Sequence, residues 1–279
     1  MHRFFYISLV VLLSIHAGAV PFEGQKLVVA GPSPYAVETA RKIQRLGGNA
    51  ADVAVAMGLT LSVTTPYFAA LGGGGFAMIK SGDAPVTAID FREVATSGMS
   101  RDYYKDKSSE DGGPAVGVPG FPAGLAAIHK KFGKLPWKSL FGDAIELAEK
   151  GFQVSGDWAK QTASNQKRFD ANAKKYLFNK DGTPLKPGDI LKQPQLARAL
   201  KLFRDKGEAG FYSGAVAGDV ATTVKQGGGA LTEADLKAYK VRWLAPLETE
   251  FRGHKVYLMP PPSSGGVVLK TALALTDKL

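Results

Sequence analysis

Four consecutive glycines at positions 72–75 constrain most strongly what this chain can fold into. Glycine loses more backbone freedom on folding than any other residue, so such a run suits a tight turn or a close approach to another backbone. The segments 76–80 and 85–91 that follow predict two strands. The Ser-Gly-Asp sequence at 81–83 is typical of the short loop of a hairpin.

A charged group closes the second predicted strand, where Asp90, Arg92 and Glu93 surround the apolar Phe91. The planar guanidinium of an arginine can donate two parallel hydrogen bonds to a carboxylate. Arg92 is therefore the candidate substrate-binding residue, with a carboxylate as its ligand. The alternative is that Arg92 pairs with Asp90 and Glu93 and only closes the end of the strand.

Periodicity and capping signals predict helices along most of the remaining chain. The segment 49–63 is small and apolar on nearly all sides, which is typical of a buried helix, and Asp52 is expected near its cap. Strands are expected at 27–30 and in a hairpin formed by 247–251 and 255–259. The predicted helices are 33–46, 49–63, 123–132, 137–150, 155–173, 194–206 and 216–226, with an apolar helix after the proline-rich segment 260–266.

The charge pattern argues against several function classes. The formal net charge is +10, but the basic residues occur in small groups without interleaved aromatic residues, so we expect no nucleic-acid partner. His129 lies beside two lysines with no metal ligand at suitable spacing, and we expect it at the surface. The chain has no cysteine. No metal and no cofactor are expected.

The first 19 residues resemble an export signal, with a short basic start, an apolar run at 4–15 and small residues at 17–19. The run is too short for a good membrane span, although an uncleaved anchor is the alternative. The mature protein would begin near Val20, without a stable membrane span, and be periplasmic or secreted. Residues 20–279 show no linker and are expected to form one domain.

Five motifs then occur in order, together with Leu-Thr-Glu-Ala-Asp-Leu at 231–236. The motifs are Asn-Ala-Ala-Asp-Val-Ala at 49–54, Gly-Gly-Gly-Gly-Phe at 72–76, Asp-Phe-Arg-Glu at 90–93, Val-Gly-Val-Pro-Gly at 116–120 and Met-Pro-Pro-Pro-Ser-Ser-Gly-Gly at 259–266. With these motifs the chain resembles the γ-glutamyltransferase (glutathione hydrolase) family, and the resemblance covers the first part of the family precursor.

The resemblance implies an α+β fold, the large-subunit portion of an N-terminal-nucleophile hydrolase with two sheets between helix layers. It also implies a precursor that cuts itself before a Thr, which then attacks the γ-glutamyl amide of a substrate such as glutathione. The glutamyl group passes to water or to an amine acceptor. By the same resemblance, Arg92 grips the α-carboxylate of that group.

The family's nucleophilic Thr has no counterpart in this sequence, so no catalytic residue is assigned within it. Residues 20–279 are therefore expected to be a truncated large-subunit-like domain, inactive without a complementary small subunit. One alternative is a non-catalytic exported binding or scaffold remnant of the family. A second alternative, a phosphate loop at the glycine run, is disfavoured because no Lys-Ser or Lys-Thr follows and the glycines precede a strand.

Overall fold

The computed structural model describes residues 27–276, so the predicted export signal lies outside the described residues. Helices make up most of the regular structure. None of the helices between residues 27 and 276 has the length and apolar character needed to cross a membrane. The helices are α1 (Pro34–Arg45), α2 (Ala50–Thr64), α3 (Phe121–Phe132), α4 (Gly142–Lys150), α5 (Gly156–Ser164), α6 (Ala171–Leu177), α7 (Pro194–Lys206), α8 (Ala209–Tyr212), α9 (Ala215–Gln226), α10 (Glu233–Ala238) and α11 (Ser264–Thr276).

The strands form antiparallel sheets of two or three members. β2 lies at the centre of one sheet, between β1 and β5, and the other two sheets pair β3 with β4 and β6 with β7. Both predicted hairpins, β1–β2 and β6–β7, are confirmed. The strands are β1 (Phe76–Ile79), β2 (Thr87–Asp90), β3 (Phe152–Gln153), β4 (Ile190–Leu191), β5 (Arg242–Leu244), β6 (Leu247–Phe251) and β7 (His254–Leu258).

Helix α2 is the centre of the hydrophobic core and packs against α1, α3 and α4. It begins at a capping box, in which the Asn49 side chain accepts the Asp52 amide and the Asp52 carboxylate accepts the Asn49 amide. Beyond the cap, its small apolar residues allow close packing on all sides. The predicted buried helix and the capping role of Asp52 are confirmed.

Asp52 also ties α2 to the chain that follows α3. Its carboxylate, fully buried, accepts the backbone N–H groups of Lys134 and Leu135 at 3.0 to 3.2 Å.

The prediction of a surface His129 is wrong. Its side chain is only 17% exposed, because the turn after α3 brings Nε2 to 2.8 Å from the Leu135 carbonyl and 3.8 Å from Asp52. The ring also packs against Trp137.

Three other predictions differ from the structure. Residues 27–30 are not a strand, since no strand within the described chain pairs with them. The predicted helix 137–150 splits into a 3₁₀ turn and α4. The predicted helix 155–173 ends as an α-helix at Ser164, and Asp170 then starts α6 by accepting the Ala173 amide at 2.7 Å. Capping by Asp170 therefore divides the segment 155–173, whose composition alone suggests one helix.

Candidate functional site

The candidate site forms where β2 ends and the chain runs beside the glycine segment. The pairing of β1 and β2 continues one step past Asp90, where Phe91 and Gly75 exchange backbone hydrogen bonds of 3.0 and 3.2 Å. Phe91 itself is buried. Arg92 and Glu93 thus leave the sheet from a backbone that the core holds in place.

The glycine run permits this arrangement by close approach. A Cβ on Gly74 would lie 2.6 Å from the Phe91 carbonyl oxygen and 2.8 Å from the Glu93 nitrogen. A Cβ on Gly75 would lie 2.8 Å from the Phe91 ring. None of the glycines at 72–75 has a positive φ. The structure supports both explanations that the sequence left open: a turn closed by the Gly73 N–H and the Ala70 carbonyl begins the run, and close approach accounts for Gly74 and Gly75.

The charged residues at the strand end form two separate ion pairs, Asp90 with Arg242 and Arg92 with Glu93. Asp90 is 3% exposed and forms an ion pair with Arg242, which lies directly opposite on β5. The second carboxylate oxygen of Asp90 accepts the Arg92 backbone N–H at 2.9 Å. Asp90 is therefore a structural residue that fixes the end of the strand.

Arg92 projects its guanidinium outward from this anchored backbone. Its side chain is 56% exposed, with Nε 3.3 Å from the Glu93 carboxylate and the guanidinium carbon 5.8 Å from the centre of the Phe76 ring. The sequence left open that Arg92 pairs with both Asp90 and Glu93. In the structure its guanidinium pairs with Glu93 only, and Asp90 pairs with Arg242. The guanidinium is accessible to a carboxylate from solvent.

Tyr239 is part of this site although nothing in the sequence around it predicts so. It follows α10, lies 147 positions from Arg92 and donates its hydroxyl to the Arg92 carbonyl at 2.7 Å. Burial raises the pKa of Tyr239 to about 12, and the nearby charges of Asp90 and Glu93 act in the same direction. The hydroxyl is therefore a donor throughout the neutral range.

The site offers hydrogen-bond donors for an anion and no arrangement for a metal. Within the part of the chain that the structure describes, no three His, Asp or Glu side chains group closely enough to hold a metal ion. The chemistry that the strand end can supply is recognition of a carboxylate by an exposed guanidinium.

Comparison with solved structures defines the class of protein. The Helicobacter pylori gamma-glutamyltranspeptidase structure matches with a TM-score of 0.89 and 36% identity, over 93% of this chain and 77% of that chain. The Bacillus anthracis transpeptidase enzyme CapD matches with a TM-score of 0.79 and 34% identity, over 91% and 82%. The predicted fold class, an α+β portion of an N-terminal-nucleophile hydrolase, is confirmed.

Sequence comparison identifies the family within that class. Residues 36–279 match the family model for gamma-glutamyltranspeptidase. The glutathione hydrolase proenzyme of Pseudomonas sp. strain A14 is 39% identical over 269 residues, which cover 92% of this chain and 47% of the relative. This chain belongs to the gamma-glutamyltranspeptidase family, and it spans about half the length of the curated relatives that it matches.

Proposed function

We propose that this chain is the large-subunit part of a γ-glutamyltransferase, or glutathione hydrolase, and that it holds the γ-glutamyl group of the substrate. The observation that carries the proposal is the half-exposed Arg92 guanidinium on a fixed backbone. The substrate's α-carboxylate would take the place that Glu93 holds at 3.3 Å. The net charge of +10 favours the approach of an anionic substrate such as glutathione.

The nucleophile in this proposal comes from a complementary small subunit whose N-terminal Thr attacks the γ-glutamyl amide. Three of the threonines in the second half of this chain that could be considered instead have local structural roles. Thr223 and Thr271 donate to carbonyls of their own helices at 2.8 and 3.0 Å, and Thr232 caps α10. Each is an internal residue without a free amine to act as its base. We therefore infer that the chain is inactive alone.

The first experiment supplies the missing part. The chain would be co-expressed with the unmatched second half of the Pseudomonas sp. strain A14 relative, and product release from a γ-glutamyl anilide would be measured. We expect turnover from the assembled pair and none from either part. Replacing the N-terminal Thr of the second half by Ala is the matched control and should abolish activity.

Two outcomes would contradict the proposal. Turnover by this chain alone, free of contaminating enzyme, would show that the nucleophile lies within it. An assembled but inactive pair would instead favour the alternative, a non-catalytic exported binding or scaffold protein of the same family.

Arg92 is tested in the assembled enzyme with Arg92→Lys and Arg92→Met. Lys keeps the charge but loses the two-pronged geometry, and Met removes both. A hydrogen bond between charged groups contributes about 1.5–3 kcal/mol, so we expect KM to rise about tenfold to a hundredfold with assembly intact. Arg45→Met on α1, which removes an exposed arginine paired with Glu38, is the control and should leave KM unchanged.

The opposite results would assign Arg92 a structural role. An unchanged KM in both variants, or loss of assembly in place of weaker binding, would mean that Arg92 closes the strand end without gripping the substrate.

A further inference from the structure

The backbone of Arg92 is held at both of its polar groups by side chains. Its N–H donates to Asp90 at 2.9 Å, and its carbonyl accepts the Tyr239 hydroxyl at 2.7 Å. Asp90 is held in turn by Arg242, so both supports depend on the segment 239–242. The Arg92 side chain, by contrast, is mostly exposed. The site therefore combines a fixed backbone with an accessible guanidinium.

The side chain of Tyr239 is itself fixed by a second tyrosine. Its ring stacks on Tyr212, with centroids 5.8 Å apart and planes 5° from parallel. The Tyr212 hydroxyl donates to the Pro119 carbonyl at 2.8 Å and accepts the Ala123 amide at 3.2 Å, at the start of α3. The direction of the Tyr239 hydroxyl is thus set by stacking on the buried ring of Tyr212.

A glycine provides the space through which the Tyr239 hydroxyl reaches Arg92. A Cβ on Gly120 would overlap both the Tyr239 hydroxyl and the Phe91 carbonyl oxygen. Gly120 is held in position because its amide donates to the Gly73 carbonyl at 2.9 Å. The approach of Tyr239 to Arg92 therefore depends on the same close packing as the glycine run.

We propose that Tyr239 is a positioning residue, whose hydroxyl fixes the Arg92 backbone so that the guanidinium meets the α-carboxylate of the γ-glutamyl substrate. This inference rests on the proposed function of Arg92. A binding group loses less freedom on meeting its ligand when its supports already hold it in the productive geometry. Tyr239 acts through Arg92 and contacts no reacting atom.

The test uses Tyr239→Phe, which keeps the ring and its stacking and removes only the donor. In the assembled enzyme, we expect KM for a γ-glutamyl anilide to rise about three- to tenfold, the scale of one neutral hydrogen bond. We expect kcat to change by less than about twofold, because the lost contact affects binding. Tyr35→Phe is the control, because it removes a tyrosine hydroxyl that accepts the Gln153 amide at 3.2 Å and belongs neither to this stack nor to the supports of Arg92; its KM should stay near that of the wild type.

A double variant separates positioning from a general structural effect. If Tyr239 acts through Arg92, adding Tyr239→Phe to Arg92→Met should not raise KM further. A second readout needs no partner subunit: hydrogen exchange of the Arg92 amide, measured by NMR on the full chain, should be faster in Tyr239→Phe than in wild type.

The outcomes distinguish the two claims. If Arg92→Met raises KM while Tyr239→Phe changes neither KM nor the exchange of the Arg92 amide, the inference is overturned and the proposed function stands. An equal KM increase from Tyr239→Phe with or without Arg92 also overturns the inference. If Arg92→Met leaves KM unchanged in an active enzyme, both claims are overturned.

Discussion

Asp90 and Glu93 belong to one motif but have opposite surroundings. Asp90 is 3% exposed, and a buried carboxylate is costly unless a partner and hydrogen bonds compensate its lost hydration. Arg242 and the Arg92 amide provide that compensation. Glu93 stays partly exposed beside the Arg92 guanidinium, where water can hydrogen-bond to either side chain in place of its partner. A carboxylate therefore fixes the strand end at Asp90, whereas the carboxylate of Glu93 remains accessible to solvent.

The ion pair of Asp90 gives a prediction about stability. Arg242→Met leaves the buried carboxylate without its cation and should lower the free energy of unfolding by about 2 kcal/mol, the scale of a hydrogen bond to a charged group. Urea unfolding would measure the change. Adding Asp90→Asn to Arg242→Met should recover part of the loss, because it removes the uncompensated charge.

A control for this prediction lies on α1. The Arg45–Glu38 pair is short, at 2.9 Å, but both side chains are more than half exposed. Arg45→Met should therefore change stability much less than Arg242→Met does. Equal effects of Arg242→Met and Arg45→Met would show that the burial of Asp90 carries no energetic weight.

At the scale of elements, the glycine run acts as a surface against which the end of β2 packs. The Phe91 ring contacts the position of Gly75, and the backbone from Phe91 to Glu93 passes within contact of Gly74. Side chains there would separate β1 from the chain that carries Arg92. Glycine is needed at position 74, despite the entropic penalty of ordering it, because two backbones touch there.

Gly74→Ala tests the role of this surface. The added methyl would meet the Phe91 carbonyl at 2.6 Å, so the strand end must shift, and we expect a loss of about 1–3 kcal/mol in unfolding free energy. Gly72→Ala is the matched control, since a Cβ there meets no atom within 4 Å, and it should change stability by less than about 0.5 kcal/mol. Thermal or urea unfolding of both variants decides the matter. Equal stability would refute the packing role.

The elements that could be predicted from the sequence are those with local causes. Helix α7 has its predicted bounds, 194–206, because a proline starts it and an apolar face continues through it. The hairpin β6–β7 turns at Arg252 and Gly253, both with positive φ. His129 was misplaced because a turn after its helix folds over it, and Tyr239 was missed because its partner is 147 positions away. A contact between residues so far apart in the sequence produces no periodic pattern in the local sequence that could predict it.

At the scale of the whole molecule, the chain has no cysteine, and the fold of residues 27–276 depends on a continuous hydrophobic core. That core extends from α1 to α10 through α2, α4 and α7.

We propose that this domain, residues 20–279, is exported to the periplasm or secreted. Support comes from the basic start and short apolar run of the first 19 residues. A disulfide-free domain could fold after export without an oxidant.

Export predicts a new N-terminus. Cleavage after the small residues at 17–19 should leave a mature chain that begins near Val20. N-terminal sequencing of protein from the periplasmic or secreted fraction would identify it. A soluble cytoplasmic product with Met1 intact would contradict the proposal, and a membrane-bound product with Met1 intact would indicate the uncleaved anchor.

The long sequence separation between Arg92 and its supports has a consequence for the time course of synthesis. Tyr239 and the Arg242 partner of Asp90 lie 147 and 152 positions further along the chain than the groups they hold. A ribosome adding about 5–20 residues per second would reach them roughly 7–30 s after Arg92 has been made. Throughout that interval the backbone of Arg92 lacks the supports that fix the position of its guanidinium. The nascent chain therefore cannot hold the Arg92 backbone in its final geometry until most of the domain has been translated.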